Sequence, residues 1–364
     1  MTSGERVAVV GTGLIGTSIA MAAVRAGDAV QGFDSDPVRL AAAGERSGLD
    51  PMPTLEACVT DATIVLLCTP LRWIPRLAPD VLRFAGDAVV TDVGSVKSQV
   101  MAEVRSKVDP RDLARFVGGH PMGGSERSGP EWASASLLDG IVWVLTPPSA
   151  VDEGRLVRLE GWVERVGARP VRMEPERHDR LVAVVSHLPQ VASTTLMSLA
   201  ATEEAGEPQT LLLAAGGFRD LTRLAASSPA LWSDILLSNR EEIGRAIDLY
   251  VERLSRLKDL VLAQRGPDVE DLFARAKDAR LSLAAKPQVR SGVAVLQVPV
   301  PDRPGVLADL ARALGERGVN IEDLQIVHSP EGGHGTVHVT VAADAVEGAT
   351  LALRERRFEP LRLA

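Results

Sequence analysis

Val7-Ala8-Val9-Val10-Gly11-Thr12-Gly13-Leu14-Ile15-Gly16 decides the fold. Four small apolar residues in a row read as a strand covered on both faces, the pattern of a parallel sheet. The glycines that follow have the spacing of a dinucleotide-binding turn. Gly11 permits the tight turn, Gly13 lets a pyrophosphate approach the backbone, and Gly16 lets the next helix, Thr17 to Ala26, pack closely on the strand. Context decides such a match: this turn follows a strand and opens a helix, and a second strand, Ala29 to Phe33, ends about 20 residues on in the acid Asp34. A carboxylate there accepts hydrogen bonds from both ribose hydroxyls and repels a 2′-phosphate. The cofactor expected is therefore NAD, with Gly11, Gly13, Leu14, Ile15, Gly16 and Asp34 lining it. Arg39, the nearest counter-signal, falls in the following helix, where a solvated arginine is the commoner case.

Working outward, the alternation continues through Thr63 to Leu67, Ala88 to Val93, Phe116 to Gly118, Ile141 to Leu145 and Arg169 to Met173. This is the order of a doubly wound, Rossmann-type parallel sheet with crossover helices, occupying residues 1–174. Ligands of such sheets lie outside the carboxyl ends of the strands, so the segments just after each strand are the candidates for chemistry. Thr69 and Pro70 would lie beside the cofactor. Asp92-Val93-Gly94-Ser95-Val96-Lys97 places Ser95 just before a helix, as an N-cap. Gly118-Gly119-His120-Pro121-Met122-Gly123-Gly124-Ser125-Glu126-Arg127-Ser128-Gly129 is an open loop that would turn His120 toward the crevice, although a lone loop histidine is more often a hydrogen-bonded turn residue.

Composition bounds the rest. The 364 residues, 45% hydrophobic and 24% charged, are enough for two or three domains with real cores. A net charge of −8 with no long basic block argues against nucleic acid as a partner. Cys58 and Cys68 show neither a disulfide framework nor metal spacing, and no apolar run approaches the roughly 18 residues of a membrane span. The expectation is a cytoplasmic protein that meets neither nucleic acid nor membrane and needs no metal.

From about Glu174 the pattern becomes helical and stays so to Leu283, giving an all-helical domain at residues 175–286. It contains Ser186-His187-Leu188-Pro189-Gln190, where the proline should kink the helix one turn from His187. It also contains Asp220-Leu221-Thr222-Arg223, where a helix would stack Arg219 and Arg223 on one face, able to clamp a carboxylate. Ile243, Ile247, Tyr250, Leu254, Leu257 and Val261 form a long stripe at coiled-coil spacing, which predicts packing against a second copy in a homodimer.

Residues 287–364 follow the order βαββαβ, the ferredoxin-like plan. Pro301-Asp302-Arg303-Pro304-Gly305-Val306-Leu307 and Gly318-Val319-Asn320-Ile321 resemble the ACT domain of amino-acid-regulated enzymes. The resemblance implies an amino-acid effector held by Asp302, Gly305, Val306, Asn320 and Ile321. His328, His334 and His338 are unevenly spaced and read as solvated histidines.

The dinucleotide turn, Gly94-Ser95-Val96-Lys97, Gly119-His120-Pro121-Met122 with Ser125-Glu126, Ser186-His187-Leu188-Pro189 and Asp220-Leu221-Thr222-Arg223, in this order, resemble the prephenate and arogenate dehydrogenases of tyrosine biosynthesis. That resemblance implies NAD-dependent oxidative decarboxylation of a small acidic ring compound, with feedback by tyrosine at the ACT domain. It implies His120 as the base that takes the ring hydroxyl's proton, and Ser95 as the hydroxyl that orients histidine, substrate and nicotinamide from its N-cap. It implies His187 and Arg223 as carboxylate binders, with Arg219 and Ser125 assisting. Many NAD-linked members carry a second histidine where this chain has Gln190, which leaves open whether the side chain recognised is a keto acid (prephenate) or an amino acid (arogenate). Two other classes remain. A 3-hydroxyacid or 6-phosphogluconate type dehydrogenase shares the layout but lacks its Gly-x-x-x-Lys-x-x-Asn helix here, and a non-catalytic NAD-binding amino-acid sensor would keep both binding sites without turnover.

Overall fold

The structure, a computed structural model, describes residues 4–123, 127–284, 293–301, 303–328 and 334–363. Ser125 and Asp302, two of the expected ligand-binding residues, lie outside them. Residues 1–255 and 256–364 form two compact units.

The first unit is built on an eight-stranded sheet: β1 (Arg6–Val10), β2 (Ala29–Phe33), β3 (Asp50–Pro51), β4 (Ile64–Leu67), β5 (Val89–Asp92), β6 (Phe116–Pro121), β7 (Val142–Thr146) and β8 (Arg169–Arg172). Their order in space is β3-β2-β1-β4-β5-β6-β7-β8, so the strand sequence reverses between β1 and β4. Helices α1 (Leu14–Arg25), α2 (Pro37–Ser47), α3 (Leu55–Val59), α4 (Ile74–Phe84), α5 (Ser98–Lys107), α6 (Pro110–Leu113) and α7 (Glu153–Arg165) accompany it. Alternate residues of one strand enter two different cores: Val7, Val9, Ile64 and Leu66 pack with α1, α2 and α7, while Ala8, Val10, Val65 and Leu67 pack with α3, α4 and α5. Both faces are buried, which is why these strands are apolar without alternation.

The sheet departs from the all-parallel expectation at its far edge. β6 and β7 pair antiparallel, Gly118 opposite Thr146 and Pro121 opposite Trp143, and β7 then pairs parallel with β8. The reason is the connection: the described residues between β6 and β7 hold only short 3-10 turns, Pro130–Trp132 and Ala135–Leu138, and without a crossover helix the chain returns antiparallel.

The helical part comprises α8 (Pro175–Val182), α9 (Leu188–Gly206), α10 (Gly216–Thr222), α11 (Pro229–Ser238) and α12 (Arg240–Leu262), which runs into the second unit. It docks on the carboxyl edge of the sheet, where Ile235 and Trp232 join the core and Arg72 pairs with Asp234 at 3.2 Å. Pro189 does not end the helix. Residues Ala183–His187 widen into a π-turn, giving room to the proline ring and its missing N–H, and the helix continues from Pro175 to Gly206. By length and composition that segment could cross a membrane, contrary to the sequence expectation, but it carries the buried polar residues His178, Asp179, His187, Gln190 and Ser193. In α12 the expected stripe divides: Ile243 and Ala246 pack on Ala183, whereas Tyr250, Leu254 and Val261 are exposed in the single chain.

In the second unit, α13 (Gly266–Ala284) precedes β9 (Val293–Pro301), α14 (Val306–Gly315), β10 (Asp323–His328), β11 (His334–Ala342), α15 (Val346–Glu355) and β12 (Leu361–Leu363). The four strands order as β10-β11-β9-β12, all antiparallel, over a core of Leu296, Val298, Leu310, Leu314, Val337, Val339 and Leu353.

One polar joint fixes the ends of β5 and β6. Asp92 and Lys97 are fully buried; the ammonium pairs with Asp92 Oδ2 and donates to Gly119 O at 2.7 Å, while Asp92 accepts from Gly94 N at 2.8 Å and Gly119 N at 3.0 Å. Lys97→Met strips the buried carboxylate of its counter-charge and should cost about 3–5 kcal/mol. Urea unfolding followed by tryptophan fluorescence checks this, and Asp92→Asn with Lys97→Met should recover much of the loss, because no buried charge is then left unpaired.

Candidate functional site

The dinucleotide turn has the geometry its spacing demands. Gly11 has φ +97°, and a Cβ there would sit 2.6 Å from Cys68 O; at Gly16 it would sit 2.0 Å from Gly11 O. Gly13 is different, because a Cβ would meet nothing within 4 Å. It caps α1 without a side-chain bond, so the first N–H groups of the helix, those of Leu14 and Ile15 among them, have space in front of them for a phosphate. Asp34 Oδ2 accepts from Thr12 N (2.8 Å) and Thr12 Oγ1 (3.2 Å), and Oδ1 from Asp36 N (2.9 Å), which fixes the carboxylate at the end of β2. Arg39 lies 3.6 Å from Asp34 and is occupied by it and Asp36. Thr69 Oγ1, just past β4, is buried with no partner among the described residues, and Pro70 beside it is exposed. Together these residues fit NAD.

His120 stands at the end of β6, partly exposed. Its Nδ1 lies 2.8 Å from Nε2 of His178, and His178 Nδ1 lies 2.8 Å from Asp179 Oδ1. The two rings meet edge to face with centroids 5.1 Å apart. Burial, then the neighbouring His178, Lys97 and His187, hold His120 well below the usual imidazole range. It is a neutral base at neutral pH.

Asp179 also caps α5 from across the cleft, accepting from Lys97 N and Ser98 N at 2.8 Å each. This displaces Ser95 from the role of N-cap. The helix begins at Ser98, with Lys97 at the cap position and no side-chain cap of its own, and Ser95 lies partly buried in the loop between β5 and α5. Ser95 is therefore left without a capping duty.

On the helical side, His187 is buried at the end of the π-turn, edge to face with Trp232 at 6.0 Å. Asn239 fixes its state. The amide nitrogen donates to Asp179 O at 2.9 Å, an acceptor only, so the same NH2 group faces His187 Nδ1 at 3.2 Å and that nitrogen must accept. The proton sits on Nε2, which has no partner among the described residues and is ready to donate to a ligand. Gln190 is buried, its amide nitrogen donating to Leu224 O at 2.8 Å, so it ties α9 to the segment carrying Arg223. Arg219 and Arg223 are exposed; α10 ends at Thr222 and Arg223 opens a 3-10 turn, so one continuous α-helix does not carry both, as had been expected.

Comparison with known proteins decides what such a cleft belongs to. Residues 19–172 match the nucleotide-binding domain of prephenate dehydrogenase, residues 174–275 its dimerization domain, and residues 294–358 the ACT domain. The prephenate dehydrogenase of Bacillus subtilis is 31% identical over 348 residues, 93% of each chain. This chain belongs to the prephenate dehydrogenase family. Members of the family are NAD-dependent oxidoreductases. The solved prephenate dehydrogenase of Aquifex aeolicus in complex with hydroxyphenyl propionate and NAD+ is 30% identical, with a TM-score of 0.71 over 77% of this chain and 98% of its own. Synechocystis arogenate dehydrogenase is 28% identical, with a TM-score of 0.66 over 76% of this chain and 99% of its own.

In the ACT domain, Gly305 has φ +89° and caps α14 at the mouth of a pocket lined by Val300, Arg303, Gly305, Leu307, Ile326 and Val337. Val306 lines the same pocket with its side chain in the core. Asn320 donates to Glu322 Oε1 at 2.9 Å, and Ile321 packs against the core.

His178, Asp179 and Asn239 have no signature in one dimension. His178 and Asp179 are an unremarkable polar pair near the start of a helix, and their partners lie 58 and 82 residues away.

Burial pushes His187 from 6.5 down to about 4. A lowered folded-state pKa means that below pH 6.5 the unfolded chain binds a proton the folded chain refuses, so stability is full above 6.5 and is lost as pH falls toward 4. The loss should reach about 3 kcal/mol from this residue. Urea titrations between pH 7 and 4 should show it, and His187→Phe should flatten the slope.

Proposed function

We propose that this chain oxidatively decarboxylates prephenate to 4-hydroxyphenylpyruvate with NAD, as a cytoplasmic homodimer controlled by tyrosine at its ACT domain. The carrying observation is His120, kept neutral on the same sheet edge as the dinucleotide turn, with the partnerless Nε2 of His187 on the helical side of that unit.

With NAD bound, its nicotinamide supplies the hydride acceptor. His120 takes the ring hydroxyl's proton through Nε2 as the C–H bond on that carbon breaks. The bond to the departing carboxylate then breaks, its electron pair enters the ring as carbon dioxide leaves, and His120 returns the proton to the ring oxygen. No net proton is released. Ser95 aligns the hydroxyl with His120, and His187 donates from Nε2 to a substrate carboxylate. Arg223, with Arg219, supplies the positive charge a dianion needs, and Ser125 adds a hydroxyl donor.

Arogenate is the second reading. Gln190 presents Oε1 with only a 3.5 Å contact from Ser227, an acceptor that a substrate ammonium could use. The ACT-domain match and the product's chemistry support tyrosine as the effector. The homodimer is supported by the dimerization-domain match and the exposed apolar face of α12, and the cytoplasm by two unpaired cysteines.

The test offers prephenate and arogenate in turn, with NAD and then NADP, and follows absorbance of the reduced nucleotide. Prephenate with NAD should give the highest kcat/KM. His120→Asn should lower kcat by about 10²–10⁴-fold with NAD affinity kept, whereas a non-catalytic sensor would form no reduced nucleotide with either substrate. Arg223→Ala should weaken substrate binding by about 2–4 kcal/mol. Because His120 is held below 6.5, kcat/KM should persist as pH falls through 6.5 and decline only below it.

A further inference from the structure

Behind His120 stand two residues with no assigned role, and with both rings neutral the hydrogen bonds along them fix one tautomer. Asp179 accepts from Lys97 N, Ser98 N and the ring of His178, a set of donors appropriate to a carboxylate. Burial alone would raise its pKa, but these bonds outweigh burial and hold it below the usual range, so Asp179 is ionised and can only accept. His178 Nδ1, 2.8 Å away, therefore carries a proton. With that proton on Nδ1, a neutral His178 ring leaves Nε2 as a bare acceptor. Nδ1 of His120, 2.8 Å from that acceptor, must then be the donor. The remaining nitrogen of His120, Nε2, is left with its lone pair free.

We infer that His178 and Asp179 are positioning residues: together they lock His120 in its Nδ1–H tautomer, so that Nε2 meets the substrate hydroxyl as an acceptor and never as a donor. This inference builds on the reading of His120 as the base. Without it an isolated imidazole distributes its proton over both nitrogens, and the Nε2–H form cannot take a proton from a hydroxyl. The groups facing His120 are His178 on α8, Lys97 before α5 and His187 after the π-turn. Among the described residues His178 is the hydrogen-bond partner of that ring, so the tautomer is set from that one side.

The chain has six histidines, few enough for nitrogen-15 labelling at histidine alone. At pH 8, without ligand, the long-range proton–nitrogen spectrum of the full-length wild type should show His120, identified by its loss in His120→Asn, with Nδ1 protonated and Nε2 unprotonated. An Nε2–H signature, or an equal mixture, overturns the inference, and this measurement needs no variant of the dyad to fold. In turnover, His178→Phe should lower kcat by about 10²–10⁴-fold, the scale of a wrong-tautomer defect, with KM and NAD affinity within about two-fold. His178→Gln keeps an acceptor for Nδ1–H and should restore most of that loss together with the wild-type His120 spectrum. Unchanged kcat in His178→Phe, or a His178→Gln enzyme as slow as His178→Phe, contradicts it. If the wild type reduces NAD with neither prephenate nor arogenate, the functional reading fails while the spectrum still decides the tautomer.

Discussion

The carboxylate of Asp179 joins the two halves of the site. One residue on α8 terminates the N-terminus of α5, more than 80 residues earlier in the chain, and holds the ring of His178. Through its own carbonyl oxygen it anchors Asn239, which sets His187. A negative charge at a helix N-terminus is favourable electrostatically, and here the cap comes from another part of the fold, so the same bonds that satisfy α5 also close the helices over the sheet edge. Removing that charge would release α5 and His178 at once, while the backbone carbonyl would still hold Asn239.

The site separates two electrostatic tasks. A base must be neutral to accept a proton, and His120 and His187 are both held below the ordinary imidazole range by burial and by the neighbouring His178. A dianionic ligand needs cations, and in the proposed reading these come from the exposed arginines of the 219–223 segment, where desolvation is slight. Lys97 is excluded from that service, since its ammonium is bound to Asp92 and Gly119 O beneath the loop; its charge acts on His120 only through space, by disfavouring the imidazolium.

What could be read in one dimension was whatever depends on local backbone chemistry. The glycines of the dinucleotide turn, the acid at Asp34 and the two-sided apolar strands each have a short-range cause, and the structure has the same cause in place. The errors were those in which a distant partner wins over a local preference. Ser95 has the sequence position of an N-cap, but Asp179 supplies the cap instead. The reversal of β7 was hidden because an apolar strand looks the same in either direction, and only the missing crossover helix betrays it. His178 was silent for the same reason as Asn239: a buried hydrogen bond between residues far apart in sequence has no periodicity.

The most direct test is a crystal structure of the full-length chain with NAD and hydroxyphenyl propionate. The account predicts the ring hydroxyl within hydrogen-bond distance of His120 Nε2, with His178 still on Nδ1, and the propionate carboxylate on the His187 and Arg223 side. A ligand hydroxyl that approaches neither His120 nor Ser95, or a carboxylate bound away from the helical side, would contradict it.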